Sequence, residues 1–264
     1  MTLTKRSMIH GGRERTWVEV AQGRAETLLL FLHGSQQSAT VARHFTARTF
    51  DAFAARNCTV VYPNGVGHHF NDLRVGLAES ARTLGIDDVG FLTELVSRYD
   101  VSRVIGCGFS NGGQMLIRML FDAPASLHGV ALFGASAPAE GNAICGPAAW
   151  VPTPVLAVQG TADPIVPYAG GEAGIGGRNR GMTRSALDSA AYFASLNGAP
   201  RHETSQARDG VRVDRWTGGA APVELWSVEG MGHVVPAPNT LDPSLGPGTD
   251  KVVGAELVAT FFGL

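Results

Sequence analysis

Arg103-Val104-Ile105-Gly106-Cys107-Gly108-Phe109-Ser110-Asn111-Gly112-Gly113 runs from an apolar, strand-like segment into a serine framed by glycines, and a helix-like segment, Gly112 to Phe121, follows. This is the sequence form of a nucleophile elbow. Glycines two residues before and two after Ser110 permit a strained turn between strand and helix, which lifts the hydroxyl out to where a base can reach it. A bare G-x-S-x-G arises by chance in a chain with 34 glycines, so the setting of the motif carries its meaning.

Outward from the elbow, short runs rich in Val, Ile and Leu alternate with helix-period segments along the whole chain. The pattern predicts an α/β fold: a mostly parallel central sheet with helices on both faces. Strands are expected at Thr16 to Val20, Thr27 to Leu32, Cys58 to Tyr62, Arg103 to Cys107, Gly129 to Phe133, Val155 to Val158 and Val223 to Ser227. Helices are expected at Thr40 to Ala54, Asp87 to Tyr99, Gly112 to Phe121, Arg184 to Leu196 and Lys251 to Phe262, with Asp87 or Asp88 capping the second. No linker or repeat interrupts residues 1–264, which read as a single domain.

Composition narrows the function classes. An apolar content of 44% suffices for a sizeable core, and 17% charge is too little for a disordered chain. A net charge of -2 with scattered basic residues lacks the electrostatic footprint of a nucleic-acid binder. The longest apolar stretch near the start, Thr27 to Leu32, is far too short to span a bilayer, so no membrane partner is expected. Met1 to Val20 shows no secretory pattern, and the three cysteines are odd in number, two of them in apolar runs. A cytoplasmic location is expected. Oligomeric state is not legible in the sequence.

In sheets of this kind ligands sit at the carboxyl ends of the strands, so the segments following strands hold the chemistry. A nucleophilic Ser110 needs a base, a carboxylate to orient the base, and N–H donors for the oxyanion. Asp163 follows the strand Val155 to Val158 and precedes Pro164. Alone it reads as a turn former. The chain order Ser110, Asp163, His233, each just after a strand, reads it instead as the orienting carboxylate. His233, in the Gly-flanked loop Glu229-Gly230-Met231-Gly232-His233 after the last strand, is the expected base. It must be neutral to take the Ser110 proton, so an alkaline-leaning pH profile is expected. The oxyanion donors are expected to be the N–H of Asn111 and that of Ser35 or Gln36 in Leu32-His33-Gly34-Ser35-Gln36. His10-Gly11-Gly12 precedes the first expected strand and reads as a loop without a catalytic part.

The loop Tyr62 to Asp72 is expected to rim the pocket, with His69 against the substrate, Phe70 as an apolar wall and Asn71 as a polar contact. His68 and His69 are adjacent with no further ligand at useful spacing, a poor metal site, and no metal is expected. Arg178 and Arg180 lie in a Gly-rich stretch and read as solvated side chains without an assigned role.

With these residues assembled, the chain resembles the α/β-hydrolase superfamily, and within it the branch of polyhydroxybutyrate depolymerases and single-domain bacterial feruloyl esterases. Gly12-Arg13-Glu14-Arg15-Thr16, the LHGS loop, YPNGVG, DDVGFLTELV, GFSNGGQM, GTADPIVPY and EGMGHVVP occur in the family's order over nearly the whole chain. The resemblance implies a serine carboxylic-ester hydrolase, without cofactor, whose triad is Ser110, Asp163 and His233 and which passes through an acyl-enzyme on small or medium acyl or aryl esters. Its implied partner is a small-molecule ester. The family's tryptophan two residues after the catalytic histidine is Val235 here, still expected at the pocket, and its tryptophan-asparagine pair is Phe70-Asn71. The cysteines of secreted relatives are absent near Asn197-Gly198-Ala199 and Thr217-Gly218-Gly219-Ala220, which points to an intracellular life. The same triad also serves thioesterases, peptidases and acyltransferases, and the fold also occurs in non-catalytic binding proteins.

Overall fold

The apolar run Thr27 to Leu32 is buried along its whole length because it serves two cores at once. Leu28, Leu30 and Leu32 pack into one, Leu29 and Phe31 into the other, as the two-residue period of a strand requires. The computed structural model describes all 264 residues. Its strands are β1 (Thr2–His10), β2 (Arg13–Ala21), β3 (Thr27–Leu32), β4 (Cys58–Pro63), β5 (Arg103–Phe109), β6 (Gly129–Phe133), β7 (Val155–Gly160), β8 (Gly171–Ile175), β9 (Arg178–Thr183), β10 (Arg201–Arg208), β11 (Val211–Thr217) and β12 (Val223–Val228). Its helices are α1 (Ala39–Phe45), α2 (Ser80–Thr83), α3 (Asp88–Ser97), α4 (Asn111–Asp122), α5 (Ala186–Leu196) and α6 (Gly254–Phe262).

Ten strands form one sheet in the order β1-β2-β4-β3-β5-β6-β7-β12-β11-β10. From β4 to β12 neighbouring strands run parallel, and antiparallel pairs flank them on both edges. Helices α3, α4 and α5 cover one face with Phe91, Leu116 and Phe193, while α1 and α6 cover the other with Phe45 and Val258. This is the expected mostly parallel sheet clothed on both sides. Register then aligns the strand ends: Leu32 pairs with Gly108, Phe109 with Phe133, and Gly160 with Val228. The loops that follow β3, β5, β7 and β12 therefore emerge together along one edge.

Some differences from the sequence expectation lie where apolar periodicity is silent, whereas β11, not expected from the sequence, buries Val211, Val213 and Trp216. β10 is exposed along its whole length and β1 buries only Met8. Both exist because a neighbouring strand supplies backbone partners, not because their side chains need a core. His10-Gly11-Gly12 is accordingly the end of β1 and the tight turn into β2 rather than a loop ahead of the first strand. The expected single helix Thr40 to Ala54 breaks after Phe45, where Ala47 and Arg48 take left-handed conformations, and resumes as a 3-10 turn over Thr49–Ala55. The break lets Asp51 turn inward to Arg43 and the Tyr62 hydroxyl, at 2.5 and 2.8 Å.

Asp87 caps α3 by accepting the Gly90 N–H. Asp88 points the other way, into a buried ion pair with Arg15 at 2.5 Å, and its second oxygen accepts the Asn71 N–H. No helix is long and apolar enough to cross a membrane.

Candidate active site

β5 and α4 meet at Ser110, whose φ of 51° and ψ of -113° are those of a strained turn. Its N–H is tied to the Phe133 carbonyl of β6. Gly108 is obligatory here: a Cβ on it would lie 2.7 Å from the Gly112 carbonyl, so strand and helix could not cross this closely. The turn leaves Ser110 partly exposed, at the mouth of a cavity of about 260 Å³.

His233 lines the same cavity and is itself buried. Its backbone N–H is held by the Leu245 carbonyl, Phe109 packs against the imidazole at 4.8 Å between centroids, and Gly134 offers the close approach on another side. A Cβ at Gly134 would stand 2.9 Å from the imidazole ring. Nδ1 lies 2.7 Å from Asp163 Oδ2. Nε2 has no partner within the protein and opens to the cavity.

Asp163 does two jobs with its two oxygens. Oδ1 accepts the N–H groups of Ile165 and Val166, each at 2.8 Å, which makes the turn, and Oδ2 is left for the imidazole. The turn contacts and the contact with the imidazole, tied in the sequence to alternative readings, coexist in one side chain.

Among the backbone N–H groups near Ser110 that lack acceptors, two stand in the expected places. One belongs to Asn111, first residue of α4, where helix geometry leaves donors unpaired. The other belongs to Ser35 in the loop after β3, also a cavity residue. The N–H of Gln36 is already given to the His68 carbonyl at 2.9 Å, which removes it as the alternative donor.

His33 holds this loop in place. Its Nδ1–H donates to the Gly34 carbonyl at 2.7 Å and its Nε2 accepts the Gly65 N–H at 3.0 Å, joining the loops after β3 and β4. Burial pushes its pKa down from 6.5 to about 4. The folded protein therefore keeps His33 neutral where the unfolded chain takes up a proton. That contribution to stability is complete above about pH 6.5 and is lost as pH falls toward 4, by up to about 3 kcal/mol. Urea unfolding at pH 7 and pH 4.5 is expected to show it, and a His33→Gln protein with the same pH dependence would disprove it.

Four residues expected at the substrate do not line the cavity. Phe70 is fully buried against His33, with ring centroids 4.6 Å apart, and belongs to the core beneath α3 and α4. Asn71 is buried, donating to the Ile86 carbonyl at 2.8 Å. His69 is turned back on its own loop, its Nδ1–H on the Gly67 carbonyl. Val235 packs into the core on the α6 side. The loop after β4 turns the side chains of His69, Phe70 and Asn71 inward, and the loop after β12 turns inward once His233 has reached the cavity. The walls come instead from Phe109, Ile165, Val166 and Leu245, and from Ala173, Gly174 and Ile175 of β8. Trp150 forms no cap: it packs on Phe193 and donates to Asn197.

The sequence reading also missed polar residues. The Asn111 side chain bonds both the N–H and the carbonyl of Phe70, and donates to Asp72 Oδ2 at 2.7 Å. Asp72 pairs with Arg74, a cavity residue, at 2.5 Å. Arg180, read as solvated, is buried, lines the cavity and pairs with Glu79. The only hint was an asparagine after the serine and an Asn-Asp-x-Arg cluster, whose partners lie far away in sequence. A wider depression between Ala237 and Val253, about 870 Å³, contains none of the residues above. No three His, Cys, Asp or Glu side chains gather as a metal site.

Comparison with solved structures decides the fold. An acetyl xylan esterase from Aspergillus awamori superposes with a TM-score of 0.65 at 12% identity, over 98% of this chain and 99% of that one. The chain has the α/β-hydrolase fold. A "predicted CIB-like hydrolase" from Thermoplasma acidophilum matches this chain with a TM-score of 0.54 at 17% identity, over 88% and 89% of the two chains. In sequence, "Putative esterase NocK" from Nocardia uniformis subsp. tsuyamanensis is 27% identical over 231 residues, 78% of this chain. The match spans 64% of that relative's length. No protein-family model matches the chain.

Proposed function

We propose that this α/β-hydrolase is a serine carboxylic-ester hydrolase. The observation that carries the reading is the 2.7 Å contact of Asp163 with His233 Nδ1, which leaves Nε2 open to the cavity where Ser110 stands on its strained elbow. Asp163 fixes the tautomer, so Nε2 is the nitrogen without a proton and takes the one from Ser110 as Oγ attacks the acyl carbon. The Asn111 and Ser35 N–H groups, both without acceptors, receive the oxyanion. His233 then gives its proton to the departing alkoxide, and water attacks the acyl-enzyme by the same route in reverse. The relative and the structural neighbour that carry esterase in their names point the same way.

The finer reading is a small or medium acyl ester. A cavity of about 260 Å³ sits below the usual ligand-pocket range of roughly 300 to 1,000 Å³. The motif order favours the polyhydroxybutyrate depolymerase and feruloyl esterase branch, although the aromatic positions that branch uses fall in the core here.

Two measurements test the proposal. A fluorophosphonate is expected to label the protein once, at Ser110. A panel of p-nitrophenyl esters, thioesters and anilides matched in acyl chain is expected to show turnover of esters first. Absence of both labelling and turnover refutes an acyl-transfer enzyme, and faster thioester or anilide cleavage moves the reading to another scissile bond.

A further inference from the structure

Two arginines that the triad does not use face its cavity. Arg74 is 6% exposed and Arg180 5%, so what accessibility they have is toward the space in front of Ser110. They come from distant segments, riveted together by Asn142. Its backbone carbonyl and Oδ1 accept the N–H groups of Val75 and Gly76, and its Nδ2 donates to the Arg180 carbonyl at 3.0 Å.

Neither guanidinium is fully occupied by its carboxylate. Arg74 uses Nε and one terminal nitrogen on Asp72, and Arg180 uses one terminal nitrogen on Glu79. The other terminal nitrogen of Arg74, and both Nε and the other terminal nitrogen of Arg180, have no acceptor in the protein. Glu79 is moreover shared with Arg178. Arg82 adds a further cation beside Asp72, one terminal nitrogen bonded to the Asp72 and Arg74 carbonyl oxygens. The cations of this wall thus outnumber its anions. The one carboxylate among the cavity's lining residues, Asp242, sits on the solvent side and accepts the Ser244 N–H.

These guanidinium donors open to the cavity without a protein acceptor and so stand free for a ligand, and a carboxylate matches their planar fork. We propose that the substrate is a short ester carrying a carboxylate at the end remote from the scissile bond, held by Arg74 and Arg180 while Ser110 attacks. This rests on the ester-hydrolase reading and names its substrate class. The small cavity limits the spacer to a few carbons.

The test compares esters that differ only by charge. Methyl hydrogen succinate and its neutral carboxamide, methyl succinamate, place the anion on the acyl side; 4-acetoxybutanoate and 4-acetoxybutanamide place it on the alcohol side. In at least one pair the carboxylate is expected to have a kcat/KM at least about tenfold higher. Arg180→Gln is expected to lower that ratio about tenfold or more, and Arg180→Lys to keep part of it. Ratios near one in both pairs, or a preference indifferent to Arg180→Gln, overturn the inference while leaving the ester-hydrolase reading intact. If no ester is turned over, that reading fails and calorimetry on the Ser110→Ala protein decides the anion site. Binding of methyl hydrogen succinate at least tenfold tighter than of methyl succinamate supports the site, and equal binding overturns it.

Discussion

Ser110→Ala is expected to lower kcat on a p-nitrophenyl ester by about five to six orders of magnitude, with folding intact. Triad members act as a unit, so adding His233→Ala to this variant is expected to cost almost nothing further. Fluorophosphonate labelling should vanish with the hydroxyl. Stability is the revealing companion measurement, because Ser110 holds φ 51° and ψ -113° to present its hydroxyl. A left-handed conformation of this sort costs about 1 to 3 kcal/mol for a residue with a Cβ. Glycine relieves that strain but gives the unfolded chain about 0.5 to 1 kcal/mol of extra freedom. Ser110→Gly is therefore expected to be inert yet to unfold at a temperature equal to or above that of the parent. A loss of activity below about a hundredfold in Ser110→Ala would remove Ser110 from the nucleophile's role.

Asp163→Asn is expected to lower kcat by about four orders of magnitude while changing the structure little. The hydrogen bonds say why. Oδ1 is committed to the Ile165 and Val166 N–H groups, so an asparagine must keep its carbonyl oxygen there. Its NH2 is then forced toward His233 Nδ1, which must become the acceptor. The ring proton moves to Nε2, and a protonated Nε2 cannot take the Ser110 proton. The loss should sit in kcat with KM little changed, since the residue is behind the imidazole and does not line the cavity. A protein retaining more than about a tenth of its activity would show that Asp163 forms the turn alone.

Local chemistry made the central strands legible, together with the positions of the three residues proposed as a triad. A serine between glycines after a strand, an aspartate after β7 and a histidine after β12 each stand in a loop that begins where an apolar run stops, and apolar runs are written in the chain. β10 was not legible because none of its side chains is buried; its order comes from backbone bonds to β11, which no side-chain pattern encodes. The pocket wall was misjudged for a related reason. Phe70, Asn71 and Val235 occupy loops at the correct edge, but whether a loop residue faces the cavity or the core depends on the turns that Asn111, His33 and Asp88 impose on it from elsewhere.

By itself, then, the sequence determined the α/β fold, the elbow at Ser110 and the order of the three residues proposed to act together, because strand periodicity and glycine spacing are properties of neighbours along the chain. Tertiary structure alone decided which N–H groups remain unpaired and which side chains line the cavity. Asp163 meets His233 across 70 residues, and the segments of Arg74 and Arg180 are joined by Asn142 and by Glu79, contacts set by packing between segments that no local pattern relates.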